Sequence, residues 1–180
     1  MLEIRIHGYG GQGAVTLAHL LAQAALDSGS RAQALPSFGV ERRGAPVQAA
    51  VRISDEQIMV YSQSAKPNVL VCMGSQLVDA GLSEGYSEDC VLVVNSSEPV
   101  ISDRTVYCID AKSMAEDADL IAGGIPMVNI PLLGAITCTV DIPFNVLEQT
   151  LRKNWAGDAG EKNVNAARLG YDSVMNQREG

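Results

Sequence analysis

Cysteine is scarce and scattered. Cys72, Cys90, Cys108 and Cys138 are the only four, and no two stand in a C-x-x-C pair. That excludes a zinc ribbon and a ferredoxin-type cluster run in this chain. Cys72, Cys90 and Cys108 fall in or beside apolar strand segments, so buried, reduced thiols of a cytosolic protein are expected. No apolar run reaches the roughly 18 residues that a membrane-spanning helix needs. Met1-Leu2-Glu3 places an acid where a secretory signal would carry basic residues. Basic charge is also in deficit. Lysine and arginine number 13 against 21 acids, for a net charge of −8 and a pI near 4.7. Nucleic acid and anionic membranes are therefore poor main partners. A few arginines can still dominate one cleft. No repeat, low-complexity tract or interdomain linker interrupts the chain.

What is present is enough for a real core. Hydrophobic residues make up 47% of 180 positions, which fits one globular domain over residues 1–180. Residues 2–7 read as a buried strand. Residues 12–28 read as a helix with Leu17, Leu20, Leu21, Ala24 and Ala25 on one face. A short strand at Ala32–Leu35 is stopped by Pro36. Val47–Ile53 alternates like a strand, and with Ile58–Tyr61 across the turn Ser54-Asp55-Glu56-Gln57 it predicts a hairpin. Asn68–Met73 and Cys90–Asn95 are continuous apolar runs of the kind found in doubly covered parallel strands. Thr105–Ile109 is another. Helices are predicted near Ser75–Ala80, Ala111–Ala122, Ile130–Cys138, Phe144–Asn154 and Gly160–Met175. The alternation gives a three-layer α/β domain with a largely parallel sheet and an inserted β-hairpin.

Gly8, Gly10 and Gly13 satisfy G-x-G-x-x-G between the first strand and the first helix, the context that this motif requires. Glycines let the backbone turn tightly and approach a ligand. The helix then aims unpaired N–H groups at an anion such as a pyrophosphate. The second half of a dinucleotide signature is missing. A ribose-binding acid belongs about 20 residues further on, where the chain reads Gln33-Ala34-Leu35-Pro36. NAD binding is disfavoured accordingly. The plainer alternative is that the glycines only let strand and helix pack closely. Gln12, at the ligand edge of the turn, either bonds a ligand or caps the helix.

In a parallel sheet the loop after the second strand emerges on the same side as the glycine turn. It carries Ser37, Glu41, Arg42 and Arg43. Three readings stand open. Arg42 or Arg43 can grip phosphate with a forked guanidinium. The charges can form an exposed ion-pair cluster of little worth. Or Phe38, Pro46 and the arginines can belong to an interface.

Three stretches carry a resemblance: GYGGQGAVTLAHLLAQAA, PSFGVERRGAPVQAAVRIS and, near the end, EKNVNAARLGY. They run in order across nearly the whole chain, with NIPLLGAI (Asn129–Ile136) between them. Together they resemble the gamma subunit of the 2-oxoacid:ferredoxin oxidoreductase (pyruvate:ferredoxin oxidoreductase) family. The resemblance implies a Rossmann-like or flavodoxin-like domain within a multi-subunit, cytoplasmic enzyme. Such enzymes decarboxylate a 2-oxoacid oxidatively with thiamine diphosphate, reduce ferredoxin through iron–sulfur clusters and pass the acyl group to coenzyme A. It also implies alpha, beta and ferredoxin-like delta partners that carry thiamine diphosphate, magnesium and the clusters. This chain's share is assembly and part of the coenzyme A site. That role transfers to Gly10, Gly11, Gln12 and Gly13, and to Ser37, Glu41, Arg42 and Arg43.

The remaining chemistry is sparse. His7 and His19 have no Cys or Ser nucleophile at readable spacing, and each reads as a packing or surface histidine. No catalytic residue is assigned. Asp110 reads as a helix cap. Trp155 suits an interface anchor or local packing. Besides the gamma-subunit reading, two alternatives stand: a purely structural subunit, and a free-standing NAD-dependent oxidoreductase.

Overall fold

The computed structural model describes residues 1–36, 44–60 and 66–180. Its centre is a six-stranded sheet in the order β2-β3-β1-β4-β5-β6. β1 (Leu2–Tyr9) pairs in parallel with β4 (Val69–Cys72), β4 with β5 (Val91–Asn95) and β5 with β6 (Val106–Ile109). β4 is buried at every position and β5 at Leu92, Val93 and Val94, while β6 at the edge is half-buried up to Ile109.

The antiparallel part differs from expectation. β3 (Pro46–Ser54) does not fold back on Ile58–Tyr61. It lies between β2 (Arg31–Pro36) and β1, antiparallel to both. Residues 55–60 form no strand, and Tyr61 lies outside the described residues. The reason is competition for backbone groups. The Ser54 hydroxyl accepts from the Glu56 N–H at 3.2 Å, and Arg52 Nη1 donates to the Val60 carbonyl at 2.8 Å. A small hairpin does exist, but elsewhere. β7 (Ile121–Ala122) and β8 (Ile125–Pro126) pair across Gly123-Gly124. The helix expected to run to Ala122 therefore stops early, as α3 (Ala111–Asp117), and Asp119 follows it with φ +51°.

Helices pack chiefly on one face. α1 (Ala14–Asp27) buries the leucine–alanine stripe that its spacing predicts. α4 (Asn129–Thr139) is buried along almost its whole length, and α5 (Phe144–Asn154) and α6 (Gly157–Glu179) close the layer. α4 and α6 approach so closely that a Cβ on Gly134 would overlap the Ala167 carbonyl oxygen. One on Gly170 would overlap that of Pro131. The other face carries a thin third layer. A 3-10 turn at Ser75–Leu77 and α2 (Val78–Ser83) cover Leu70, Cys72, Leu92 and Val94.

The outer edge of β6 is sealed by a side chain. The Gln177 amide accepts from the Cys108 N–H at 3.2 Å and donates to the Cys108 carbonyl at 3.1 Å. It mimics a neighbouring strand and blunts an edge that could otherwise pair with another chain. Asp110 caps α3 as expected, accepting from the Ser113 N–H at 3.2 Å. Trp155 ends α5 half-buried against the main core, which is the local-packing reading.

Candidate functional site

Five of the six strands run the same way, β3 being the exception. Their carboxyl ends share one edge of the sheet. β1 connects through α1 to β2 on one side, while β4 lies on the other, so the crevice between β1 and β4 is the topological switch point. Ligands of open α/β sheets collect at such a point.

The first turn is built to expose backbone there. Gly13 takes a left-handed conformation, φ +81°, as the residue before α1. A side chain at Gly13 would also meet Asn129, whose Nδ2 lies 2.7 Å from the Cβ position. No side chain caps α1, and its first turn carries no acid. The helix start thus keeps unpaired N–H groups and the positive end of its dipole.

Gln12 does not cap α1. Its Oε1 turns back and accepts from the Tyr9 N–H at 2.7 Å, while its own N–H donates to the Tyr9 carbonyl at 3.0 Å. The side chain thus braces the turn from inside. Asn95 does comparable work along the same edge. It donates to the Met73 carbonyl at 3.2 Å and accepts from the Ala111 N–H at 3.1 Å, tying together the ends of β4, β5 and the start of α3.

Ser37, Glu41, Arg42 and Arg43 lie outside the described residues. The chain that follows them is bonded to the glycine turn. The Gly10 N–H donates to the Ala45 carbonyl at 2.8 Å, and the Gly44 N–H donates to the Gly10 carbonyl at 3.1 Å. Gly10 is thereby held by both of its backbone groups, while Gly11 stays exposed with φ +93°.

Sequence reasoning missed Asn129. It is 1% exposed, it opens α4 beside Gly13, and its Oδ1 has no hydrogen-bond partner among the described residues. The signal was a polar residue at the head of an apolar helix, NIPLLGAI, which ordinarily reads as a cap. His7 is buried, His19 exposed. Burial holds the His7 pKa below its usual value, with Glu84 pulling it up and Arg5 pushing it further down. Cys108 is half-buried rather than buried as expected, and the other three cysteines are inert. Burial pushes Cys72 up to about 12 and raises Cys90 and Cys138 as well. Among the described residues, no group of three or more His, Cys, Asp or Glu could hold a metal ion, and no helix is long and apolar enough to cross a membrane.

Residues 3–173 match the family model described as pyruvate ferredoxin/flavodoxin oxidoreductase. The chain belongs to that family. It is 41% identical over 177 residues to pyruvate synthase subunit PorC of Methanothermobacter marburgensis, covering 97% of this chain and 98% of the relative. It is 38% identical to the common subunit gamma of the pyruvate/ketoisovalerate oxidoreductases of Pyrococcus furiosus, covering 97% of each. Among solved structures, the pyruvate oxidoreductase subunit PORC of Thermotoga maritima superposes with a TM-score of 0.80 at 34% identity, covering 95% of each chain. A fourth likeness is one of fold alone. The 2-oxoglutarate:ferredoxin oxidoreductase of Magnetococcus marinus, solved with 2-oxoglutarate, coenzyme A and succinyl-CoA, gives a TM-score of 0.80 at 19% identity. It covers 97% of this chain but 31% of the longer one. The resemblance read from the glycine turn and the arginine loop thus extends to family, length and fold.

Proposed function

We propose that this chain is the gamma subunit of a 2-oxoacid:acceptor oxidoreductase complex, and that it contributes to assembly and to the binding of coenzyme A. The observation that carries the ligand part is the start of α1. An uncapped helix N-terminus, free of acids, follows a left-handed glycine at the switch point of the sheet. Such a terminus suits a phosphate. Gly11, Gln12 and Gly13 offer backbone rather than side chains. Gly10 keeps the turn in register with the strand that follows the arginine loop. In this reading Arg42 and Arg43 add charge to the same anion, with Ser37 and Glu41 beside them.

Coenzyme A supplies the thiol that accepts the acyl group. Thiamine diphosphate, magnesium and the iron–sulfur clusters belong to alpha, beta and delta partners, with ferredoxin or a similar carrier as electron acceptor. The Pyrococcus relative is common to pyruvate and ketoisovalerate enzymes. That supports placing the choice of 2-oxoacid outside the gamma chain. A cytoplasmic location goes with the same reading.

The test is coenzyme A titration into the reconstituted complex, comparing the parent with Arg42→Ala, Arg43→Ala and the double variant. We expect the KM for coenzyme A to rise at least tenfold in the double variant, with the KM for the 2-oxoacid unchanged. Unchanged affinity and turnover in all three would remove the arginines from the site and leave the structural-subunit reading. The NAD-dependent alternative has no support at the end of β2, which reads Leu35-Pro36 with no acid.

A further inference from the structure

The sheet finishes its two edges differently. Gln177 seals β6, whereas β2 at the other end pairs only with β3 among the described residues. Hydrogen bonds fix which backbone groups of β2 face out. Glu3 turns both of its own toward β4: its N–H donates to Asn68 Oδ1 at 2.9 Å, and its carbonyl accepts from the Asn68 N–H at 2.8 Å. Successive residues of a strand aim these groups to alternate sides. Leu2, Ile4 and Ile6 therefore face β3, and their partners Ile53, Val51 and Ala49 face back at them. Arg52 and Ala50 then face β2, where they meet Gln33 and Leu35. That leaves Ala32 and Ala34 with N–H and carbonyl aimed outward, and among the described residues no hydrogen bond reaches them from beyond the edge. Pro36 continues the outward series, so its missing N–H costs β3 nothing.

Open edges are ordinarily blunted by lysine, a mid-strand proline, an inward charge or a covering segment. Ala32-Gln33-Ala34-Leu35 carries no charge and no proline. A cleft of about 510 Å³ lies beside the strand, walled by Leu26 of α1 and by Gln57 and Ile58 beyond β3. Leu26 is 46% exposed, and Met59 and Val60 after Ile58 are exposed too. Apolar side chains thus flank unpaired backbone.

The strand fits a copy of itself. A two-fold axis at Gln33 lays a second β2 antiparallel to the first. Ala32 then faces Ala34 of the second copy, and both present outward groups, so each such pair exchanges both of its backbone bonds. Arg31 falls opposite Leu35 of the second copy, so the two arginines do not meet. The nearby acids, Asp27, Asp55 and Glu56, gather at the Arg31 end, where β2 meets Ser54. The axis sets the two Arg31 ends at opposite ends of the joint. A net charge of −8 opposes self-association in general, but no like charges face each other along these strands.

We infer that β2 is a self-association joint: two copies of this chain pair edge to edge, antiparallel about Gln33, and join two six-stranded sheets into one. Closed two-fold contacts of this kind use the same patch on both copies. The inference stands on the edge alone and does not depend on what the glycine turn binds.

The experiment is sedimentation equilibrium of the full-length chain over a concentration series, with hydrogen exchange of the β2 amides in the chain and in the reconstituted complex. We expect the mass to rise to twice 19.0 kDa, and the Ala32 and Ala34 amides to gain protection in step with the dimer fraction. Ala34→Pro removes an outward N–H and no bond to β3. It should keep the unfolding midpoint and raise the dimer dissociation constant at least tenfold. Gln33→Glu sets two carboxylates against each other on the axis, beside Arg52, whose Nη1 stands 3.5 Å from the residue 33 oxygen. It should raise the constant severalfold, and less so in high salt. A chain that stays monomeric throughout overturns the inference. Protection of Ala32 and Ala34 in the complex alone would then give the edge to a strand of another subunit. A dimer that either variant leaves undiminished overturns it as well.

Discussion

Two sets of glycines use the missing side chain in opposite ways. Gly134 and Gly170 sit inside helices and let α4 and α6 touch backbone to backbone. The glycines of the first turn sit at the carboxyl edge of the sheet, where Gly13 adopts φ +81° and Gly11 φ +93°. In the helices absence of a Cβ is filled by a neighbour. At the turn the Asn129 side chain lies against Gly13, while Gly11 stays exposed and the head of α1 uncapped. One region spends glycine on stability, the other on access.

Substitution should separate the two. Gly134→Ala and Gly170→Ala force a Cβ into a carbonyl that belongs to a packed helix, so the helices must part. Each should cost about 3 kcal/mol or more in urea unfolding, and each should reduce assembly of the complex. Gly13→Ala should cost less, about 2 kcal/mol, from the left-handed backbone and from displacing Asn129. It should also raise the KM for coenzyme A out of proportion to the stability lost. Equal stability losses at Gly13 and Gly134, with no effect on that KM, would erase the contrast.

Gln12→Ala sharpens it from the other direction. It removes a side chain that braces the turn from inside, leaving the Tyr9 N–H without its 2.7 Å partner. The expected cost is about 1 kcal/mol. Faster hydrogen exchange at the Tyr9 amide should report it, with only a few-fold rise in the KM for coenzyme A. A loss of binding as large as that in Gly13→Ala would mean that the side chain itself meets the ligand.

The smallest effect is expected on the helical side. Asp27 accepts from the Thr150 hydroxyl at 2.8 Å and faces the Lys153 ammonium at 3.0 Å, joining the end of α1 to α5. The Thr150 hydrogen bond, then Lys153, hold its carboxyl pKa below the usual 3.8. The folded state therefore binds the proton less readily than the unfolded chain. The stability this adds is complete above 3.8 and fades as pH falls through the lower folded value. Asp27→Asn should lose about 1 kcal/mol near neutral pH and should flatten the acid limb of the unfolding curve.

How much was legible in advance depends on the range of the interactions. The strands β4 and β5 announced themselves because a strand covered on both faces must be apolar at every position. The stripe on α1 was equally plain, since Leu17, Leu21 and Ala24 follow the helical repeat. The glycine motif gave the place of the left-handed turn for the same local reason. The partner of β3 was not legible. Val47–Ile53 alternates the same way whether it pairs with a following segment or slips between β1 and β2. Gln12 was ambiguous because its choice depends on the Tyr9 N–H, fixed only once the turn is closed. Asn129 and Gly13 are 116 positions apart in the chain, and no spacing rule connects them.

By itself the sequence determined the alternation of strands and helices, the parallel core and the glycine turn at the head of α1, because each rests on neighbours a few residues apart. The tertiary structure decided the insertion of β3, the inward turn of Gln12 and the glycine contact between α4 and α6. Those depend on groups that meet only when distant segments compete for the same hydrogen bonds and the same space.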